Sequence, residues 1–395
     1  MALESPVDIS TRHPKPVRVL EVVRSLASGG MENQLVALLN RLDPALHRFE
    51  VCCLREPGVN AEKLDPQIPL HCFRKPEGFQ WRSVRDLRWL LAKGFDVVHT
   101  HNLGSLIYAT MATRGGRQCA IFHGEHAQMA PDELQWKKMM QRRLLFPFCK
   151  AVHTVSKAQR QELLTLGFRH PRLTAIVNGV NTEHYHPLAS LSERSEQRKT
   201  LGLEDSEAFV IGIVGRFGEF KRHRELIIAF ENFLARYPKA YLLVIGDGGP
   251  LKKSVLEQID SSPAGRNIRW AGYHADPLPY YQVLDLLAVP STNEGLSNAT
   301  LEAMATGVPV LTHLSCGAEE ILGATECGWI RDLGTVEKIT QELSRVNALS
   351  VEARRAIGLA GRGRVARDFS WDGMATEYSS WILACAGQLA FPRNL

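Results

Sequence analysis

The sequence predicts an α/β chain of two doubly wound, Rossmann-like domains facing each other across a cleft. Three observations carry that expectation. At 395 residues the chain is too long for one ordinary core and suits two domains of roughly 180 residues each. Short apolar runs alternate with longer helical patterns, the sequence form of a parallel sheet wrapped by helices. The alternation is interrupted between His186 and about Ser206, a stretch of Pro, Ser, Glu, Arg and Lys that reads as a linker with a short polar helix, and then restarts.

In chain order, residues 1–16 carry acidic residues and prolines and no apolar h-region, so they read as a flexible lead-in and not as a secretory signal. The first domain is expected over 17–187, with strands at 17–23, 49–54, 96–101, 119–123, 151–156 and 173–178. Their near-continuous apolar character suits parallel strands buried on both faces. The second domain is expected over 188–370, with strands at 209–215, 241–248, 268–272, 286–291 and 308–313. Residues 371–395 read as a C-terminal helix. Two such units joined by one linker place a ligand cleft between their strand C-termini.

Composition narrows the function classes. A hydrophobic fraction of 45% beside 23% charged residues is globular and not disordered. No run of 18 apolar residues occurs, so no transmembrane helix is expected. The net charge of +5 suits an anionic substrate or membrane surface, while no RNP-like, zinc-finger or helix-turn-helix pattern supports nucleic acid. Eight cysteines without a C-x-x-C pair read as reduced thiols of a cytoplasmic protein.

The densest chemistry lies in Pro290–Pro309. Glu294 and Glu302 stand eight residues apart across a loop that becomes a helix. Gly295, Ser297 and Asn298 are loop and N-cap residues, Ala299–Ala305 is strongly helix-forming, and Gly307-Val308-Pro309 stops it. A helix N-terminus presents free N–H groups to a phosphate, and flanking carboxylates accept hydroxyl hydrogens. Spacing alone leaves a solvated surface helix open. Upstream, in GIVGRFGEFKRH, Arg216 and Lys221 flank a glycine turn after a strand, a fitting pair for a diphosphate. Gly246 and Gly248 belong to a turn that lets backbone approach a ligand. Gly29 and Gly30 open a helix as an anion-accepting nest, without the dinucleotide fingerprint.

Histidines gather at two strand ends: His99 and His101, then His123 and His126. H-x-H and H-x-x-H on separate loops are a weak zinc pattern, and no metal is expected. Residues 131–148 intersperse Lys137, Lys138, Arg142 and Arg143 with Leu134, Trp136, Met139, Met140, Leu144 and Leu145. Such a basic amphipathic helix either covers its domain or lies on an anionic bilayer.

The Glu294–Glu302 stretch resembles the Glu-x7-Glu signature of retaining glycosyltransferases of the GT-B fold, specifically glycosyltransferase family 4. Arg216 and Lys221 resemble that family's diphosphate clamp, with Arg222 where the family commonly has Gly. The 246–250 turn resembles its nucleotide loop, and Gly29-Gly30 its first-domain loop facing the donor. Cys316-Gly317-Ala318-Glu319-Glu320 resembles its G-G-x-x-E turn, with Cys316 in the first glycine position. The resemblance spans nearly the whole chain in motif order and looks like bacterial exopolysaccharide and lipid-linked glycan transferases.

It implies retaining transfer of a sugar from a nucleoside diphosphate to a hydroxyl of a glycan or lipid-linked acceptor. It implies no cofactor beyond the nucleotide-sugar co-substrate, no metal, and a leaving diphosphate that takes the acceptor's proton. The implied catalytic residues are His123, Arg216, Lys221 and Glu294. The implied substrate-binding residues are Gly29, Gly30, His101, His126, Gly246, Gly248, Gly295, Leu296, Ser297, Asn298 and Glu302. Strand register favours His123 for the position beside the donor sugar, with His126 as the other choice, and His101 lines the acceptor entrance. The final helix crosses back onto the first domain in the resembled family. A lipid-linked acceptor implies a peripheral place at the inner face of the cytoplasmic membrane, with contact through 131–148. Another GT-B enzyme, such as a nucleotide-sugar epimerase or a phosphorylase, and a non-catalytic nucleotide-sugar-binding scaffold are the alternatives.

Overall fold

The computed structural model describes residues 15–126, 133–292, 294, 296–315, 317–323 and 326–387. The first sheet contains β1 (Val17–Val23), β2 (His47–Cys53), β3 (Leu70–Cys72), β4 (Val97–Thr100), β5 (Ala120–Glu125), β6 (Ala151–Thr154) and β7 (Leu173–Ala175). Its order is β3-β2-β1-β4-β5-β6-β7, and every pairing is parallel. The second contains β8 (Phe209–Val214), β9 (Ala240–Ile245), β10 (Ile268–Gly272), β11 (Leu286–Val289), β12 (Val310–His313) and β13 (Gly328–Arg331). It runs β10-β9-β8-β11-β12-β13, again wholly parallel.

Each sheet buries both faces under helices, which is why its strands read as unbroken apolar runs. Val19 and Val23 enter one core of the first domain while Leu20 and Val22 enter the other. The second sheet divides in the same way, Ile211 to one side and Val210 to the other. Two edge strands, β3 and β13, escaped the sequence reading. They are three and four residues long and no residue in either is fully buried, so neither leaves an apolar run. Several expected strands also stop early, β9 at Ile245 and β11 at Val289. The residues beyond them form loops on the C-terminal edge, where ligands bind in such folds.

The Trp371–Ala386 helix follows the second domain in sequence yet covers the first sheet. Its Met374, Tyr378, Trp381, Ile382 and Leu383 share a core with Val17, Val19 and Phe122. Where this crossing begins, Val180 and Ser370 form a bridge. No described helix is long and apolar enough to span a membrane, and the described cysteines are free thiols.

Candidate active site

In each sheet the chain reverses direction beside its first strand: β1 lies between β2 and β4, and β8 between β9 and β11. The loops leaving β1 and β8 therefore open into a crevice at the strand C-termini. A cavity of about 600 Å³ lies there, lined from the first domain by Gly29, Gly30 and His126. From the second domain it is lined by Arg216, Lys221, Gly246, Glu294, Leu296, Ser297, Asn298 and Glu302.

Lys221 ends a single helical turn, Glu219–Lys221, and its ammonium pairs with the Glu294 carboxylate. Both side chains are mostly buried. The clamp lysine and the first signature glutamate, 73 residues apart in sequence, thus form one unit. Gly246 has φ +138°, and a Cβ there would stand 2.2 Å from the Gly215 carbonyl oxygen. Glycine lets the loops after β8 and β9 touch beneath the cavity. Gly248 lies outside the lining, its N–H donating to Asp247 Oδ1. Gly295 and Cys316 lie outside the described residues.

Ser297 caps the Asn298–Ala305 helix by accepting the Thr300 N–H, and the other first-turn amides are left for a ligand. One turn on, Glu302 Oε2 accepts a hydrogen bond of 2.8 Å from the Tyr281 hydroxyl. Burial raises the Glu302 carboxyl to about 7, against the lowering effect of Tyr281. Asn298 crosses the cleft: Nδ2 donates to the Gly30 carbonyl at 3.1 Å and Oδ1 accepts from Gln34 Nε2 at 3.1 Å.

The structure corrects the choice of histidine. His123 lies inside β5, wholly buried, with Nδ1 at 2.8 Å from Thr100 Oγ1 and Nε2 at 3.3 Å from Glu125 Oε1. Strand alternation turns it toward Phe146 and away from the cleft. His126, one residue past the strand, lines the cleft instead. It also lines a first-domain cavity of about 770 Å³ together with His101, and Met31, His126 and Glu133 border both spaces.

A Glycosyltransferase Family 4 model matches residues 28–184, and a Glycosyl transferases group 1 model matches residues 193–364. The chain belongs to glycosyltransferase family 4. It is 27% identical to the Staphylococcus aureus capsular polysaccharide biosynthesis glycosyltransferase CapM over 60% of each chain. It is 30% identical to a Corynebacterium glutamicum GDP-mannose-dependent monoacylated α-(1-6)-phosphatidylinositol monomannoside mannosyltransferase, over 53% of this chain and 56% of that one. The matches thus span little more than half the length of these relatives. The crystal structure of Anabaena Alr3699/HepE in complex with UDP-glucose superimposes with a TM-score of 0.81 at 20% identity, covering 93% of this chain and 99% of that one. That likeness fixes the GT-B architecture.

In this family 4 glycosyltransferase, Arg222 and Glu320 acquire local explanations. Arg222 takes the left-handed conformation (φ 57°) that a glycine would adopt freely. Its guanidinium is buried on the Leu333 and Gly334 carbonyls, so it adds no charge to the cleft. The Glu320 carboxylate accepts the Lys157 and Ala158 N–H groups, both at 3.0 Å. It caps a first-domain helix and joins the domains instead of touching the cavity.

The helix expected within 131–148 runs from Trp136 to Leu145, and residues 131 and 132 lie outside the described residues. Two of its four basic side chains turn inward. Arg142 is buried on Glu125 and Glu133, and Lys138 pairs with Glu133 at 2.6 Å. Arg142 and His123 hold the Glu125 carboxyl down at about 2 although burial alone would raise it. Trp136, Met140, Leu144 and Phe148 face solvent at four-residue intervals.

Sequence reading missed a buried polar cluster behind His126. Glu21 Oε2 lies 2.6 Å from His101 Nε2 and 3.0 Å from His99 Nδ1, and its Oε1 accepts from the Tyr378 hydroxyl at 3.0 Å. The available signal was a lone carboxylate inside the apolar strand VRVLEVV. Among the described residues, Glu21, His99 and His101 are the group close enough to hold a metal ion. Their separations are those of hydrogen bonds, however, whereas tetrahedral ligands at about 2.0–2.1 Å from zinc would stand about 3.3 Å apart. Shared protons suit the geometry better.

Proposed function

We propose that this transferase moves a sugar, with retention of anomeric configuration, from a nucleoside diphosphate to a hydroxyl of a glycan or lipid-linked acceptor. One observation carries the reading: Arg216, the Lys221–Glu294 pair, Glu302 and a Ser297-capped helix N-terminus converge on one interdomain cavity. The names of relatives add support, since they describe capsular polysaccharide and GDP-mannose-dependent transfer, and HepE was solved with UDP-glucose.

In the proposed step the acceptor oxygen bonds to the anomeric carbon on the face from which the diphosphate leaves. The bond from that carbon to the diphosphate oxygen breaks, and the acceptor's proton passes to the departing diphosphate. Arg216, Lys221 and the helix amides stabilise the charge developing on that oxygen. Glu294 and Glu302 accept hydroxyl hydrogens of the donor sugar and ribose. No step in this sequence calls on a metal or a further cofactor. The first-domain cavity is the acceptor side, and the exposed Trp136–Phe148 stripe with Lys137, Arg143 and Lys150 is where a bilayer carrying a lipid-linked acceptor would meet the chain.

A thermal-shift panel of UDP-, GDP- and ADP-sugars tests the donor class, because a ligand at 100 times its dissociation constant adds about 2.7 kcal/mol. Stabilisation by one nucleotide family, with turnover lost in Arg216→Ala and Lys221→Ala, is the expected result. A folded protein that neither binds nor turns over any of these sugars would overturn the reading.

A further inference from the structure

We propose that Glu21 and His101 form a relay that fixes His126 in one neutral tautomer, with its Nε2 protonated and its Nδ1 left as a hydrogen-bond acceptor. The proton count follows from the contacts. A carboxylate only accepts, so His101 Nε2, 2.6 Å from Glu21 Oε2, carries a hydrogen. A neutral His101 then presents a lone pair at Nδ1, 2.9 Å from His126 Nε2. His126 Nε2 must donate there, and its other nitrogen must accept.

The rest of the cluster closes on the same assignment. His99 Nδ1 donates to the Tyr378 oxygen at 2.5 Å and toward Glu21 Oε2 at 3.0 Å, and its Nε2 accepts from His153 Nε2 at 3.1 Å. Tyr378 O–H donates to Glu21 Oε1. The atom left over is His153 Nδ1, buried without a partner; under this assignment it is a bare acceptor, less costly to bury than an N–H. One carboxylate and four neutral rings therefore satisfy every buried donor. Charges agree: His99 and His101 hold Glu21 below the usual carboxylate range although burial alone would raise it. Burial holds His126 and His153 well below the ordinary imidazole value.

His126 borders both the interdomain cleft and the first-domain cavity. A ring locked as an acceptor there selects hydroxyl donors and rejects anions, and the buried carboxylate behind it strengthens the lone pair. Glu21 and His101 are positioning residues acting through His126. The hydroxyl they orient rests on the transferase reading above; the tautomer does not.

The test is nitrogen-15 NMR of the histidine-labelled full chain, with His126 assigned through His126→Gln. We expect Nε2 protonated and Nδ1 bare in the wild type and in Tyr378→Phe, and a tautomer mixture in His101→Leu. In turnover, His101→Leu should lower kcat about 10-fold or more, the loss of one buried hydrogen bond, with donor KM unchanged. His101→Gln, whose amide carries one donor and one acceptor, should recover most of it. A protonated Nδ1 in the wild type overturns the relay, as does stoichiometric zinc that His101→Leu abolishes. Equal impairment of the Leu and Gln variants with equal loss of melting temperature assigns His101 to packing alone and also overturns it. If the wild type transfers no sugar, the transferase reading falls while the NMR result still decides the relay.

Discussion

The Glu302 carboxyl sits where burial and a tyrosine hydroxyl pull in opposite directions. The unfolded chain ionises it near 4.5, while the folded protein holds its proton to about 7. The stability this proton confers is complete below pH 4.5 and is lost as pH rises to 7. The loss amounts to at most about 3 kcal/mol. Glu302→Gln should remove that slope, so urea unfolding at pH 5 and pH 8 should show the variant gaining on the wild type at the higher pH. An equal difference at both pH values would exclude the raised carboxyl. Residue types at this site were legible from the sequence, but which of two neighbouring histidines faces the cleft was not. Alternation along β5 and the point at which the strand ends decide that, and both depend on pairing with β4 and β6.

Among elements, the Asn298–Ala305 helix combines the clearest sequence signals with the most ligand-facing backbone. Removing its cap in Ser297→Ala should cost about 1 kcal/mol of stability, read by denaturant midpoint. It should also weaken nucleotide binding, because the cap orients the amides that face the cavity. Unchanged nucleotide affinity would place the ligand elsewhere. The Trp136–Leu145 helix is basic and amphipathic in sequence, but tertiary contacts alter its sense. Arg142 is drawn inward by Glu125 and Glu133, and an apolar stripe is left outside. Co-sedimentation with anionic phosphatidylglycerol vesicles should fall several-fold in a Trp136→Ser, Leu144→Ser double variant, with no loss of melting temperature. Retained sedimentation would remove this helix from membrane contact. The short edge strands β3 and β13 were illegible because half-buried residues carry no strong hydrophobic period.

For the whole molecule, the crossing of the C-terminal helix ties the two domains together. Burial of Met374, Tyr378, Trp381, Ile382 and Leu383 contributes on the order of 10 kcal/mol, comparable with the total stability of a domain, about 5–15 kcal/mol. Truncation before Trp371 should therefore unfold the first domain while the second keeps its cooperative transition, visible as loss of one of two calorimetric peaks. Two retained peaks would refute the structural role. Asn298, hydrogen-bonded to Gly30 and Gln34 across the cleft, sets the domain separation without adding much area. Asn298→Ala should widen the cleft, detected as a larger radius of gyration in the absence of ligand.

The sequence by itself determined the α/β class, the two parallel sheets and the loops that carry Arg216, Lys221, Glu294 and Glu302. Those features rest on local signals: apolar runs, glycine turns and caps. Only the tertiary structure decided that His126 and not His123 meets the cleft and that Arg222 and Glu320 serve the scaffold. It alone brought a carboxylate from β1, one histidine from β4, another from just past its end and a tyrosine from the last helix into one hydrogen-bonded cluster. The reason is physical. A side chain's partners are set by the neighbours that strand order and domain crossing bring to it, over separations of up to 357 residues for Glu21 and Tyr378, and no local period encodes them.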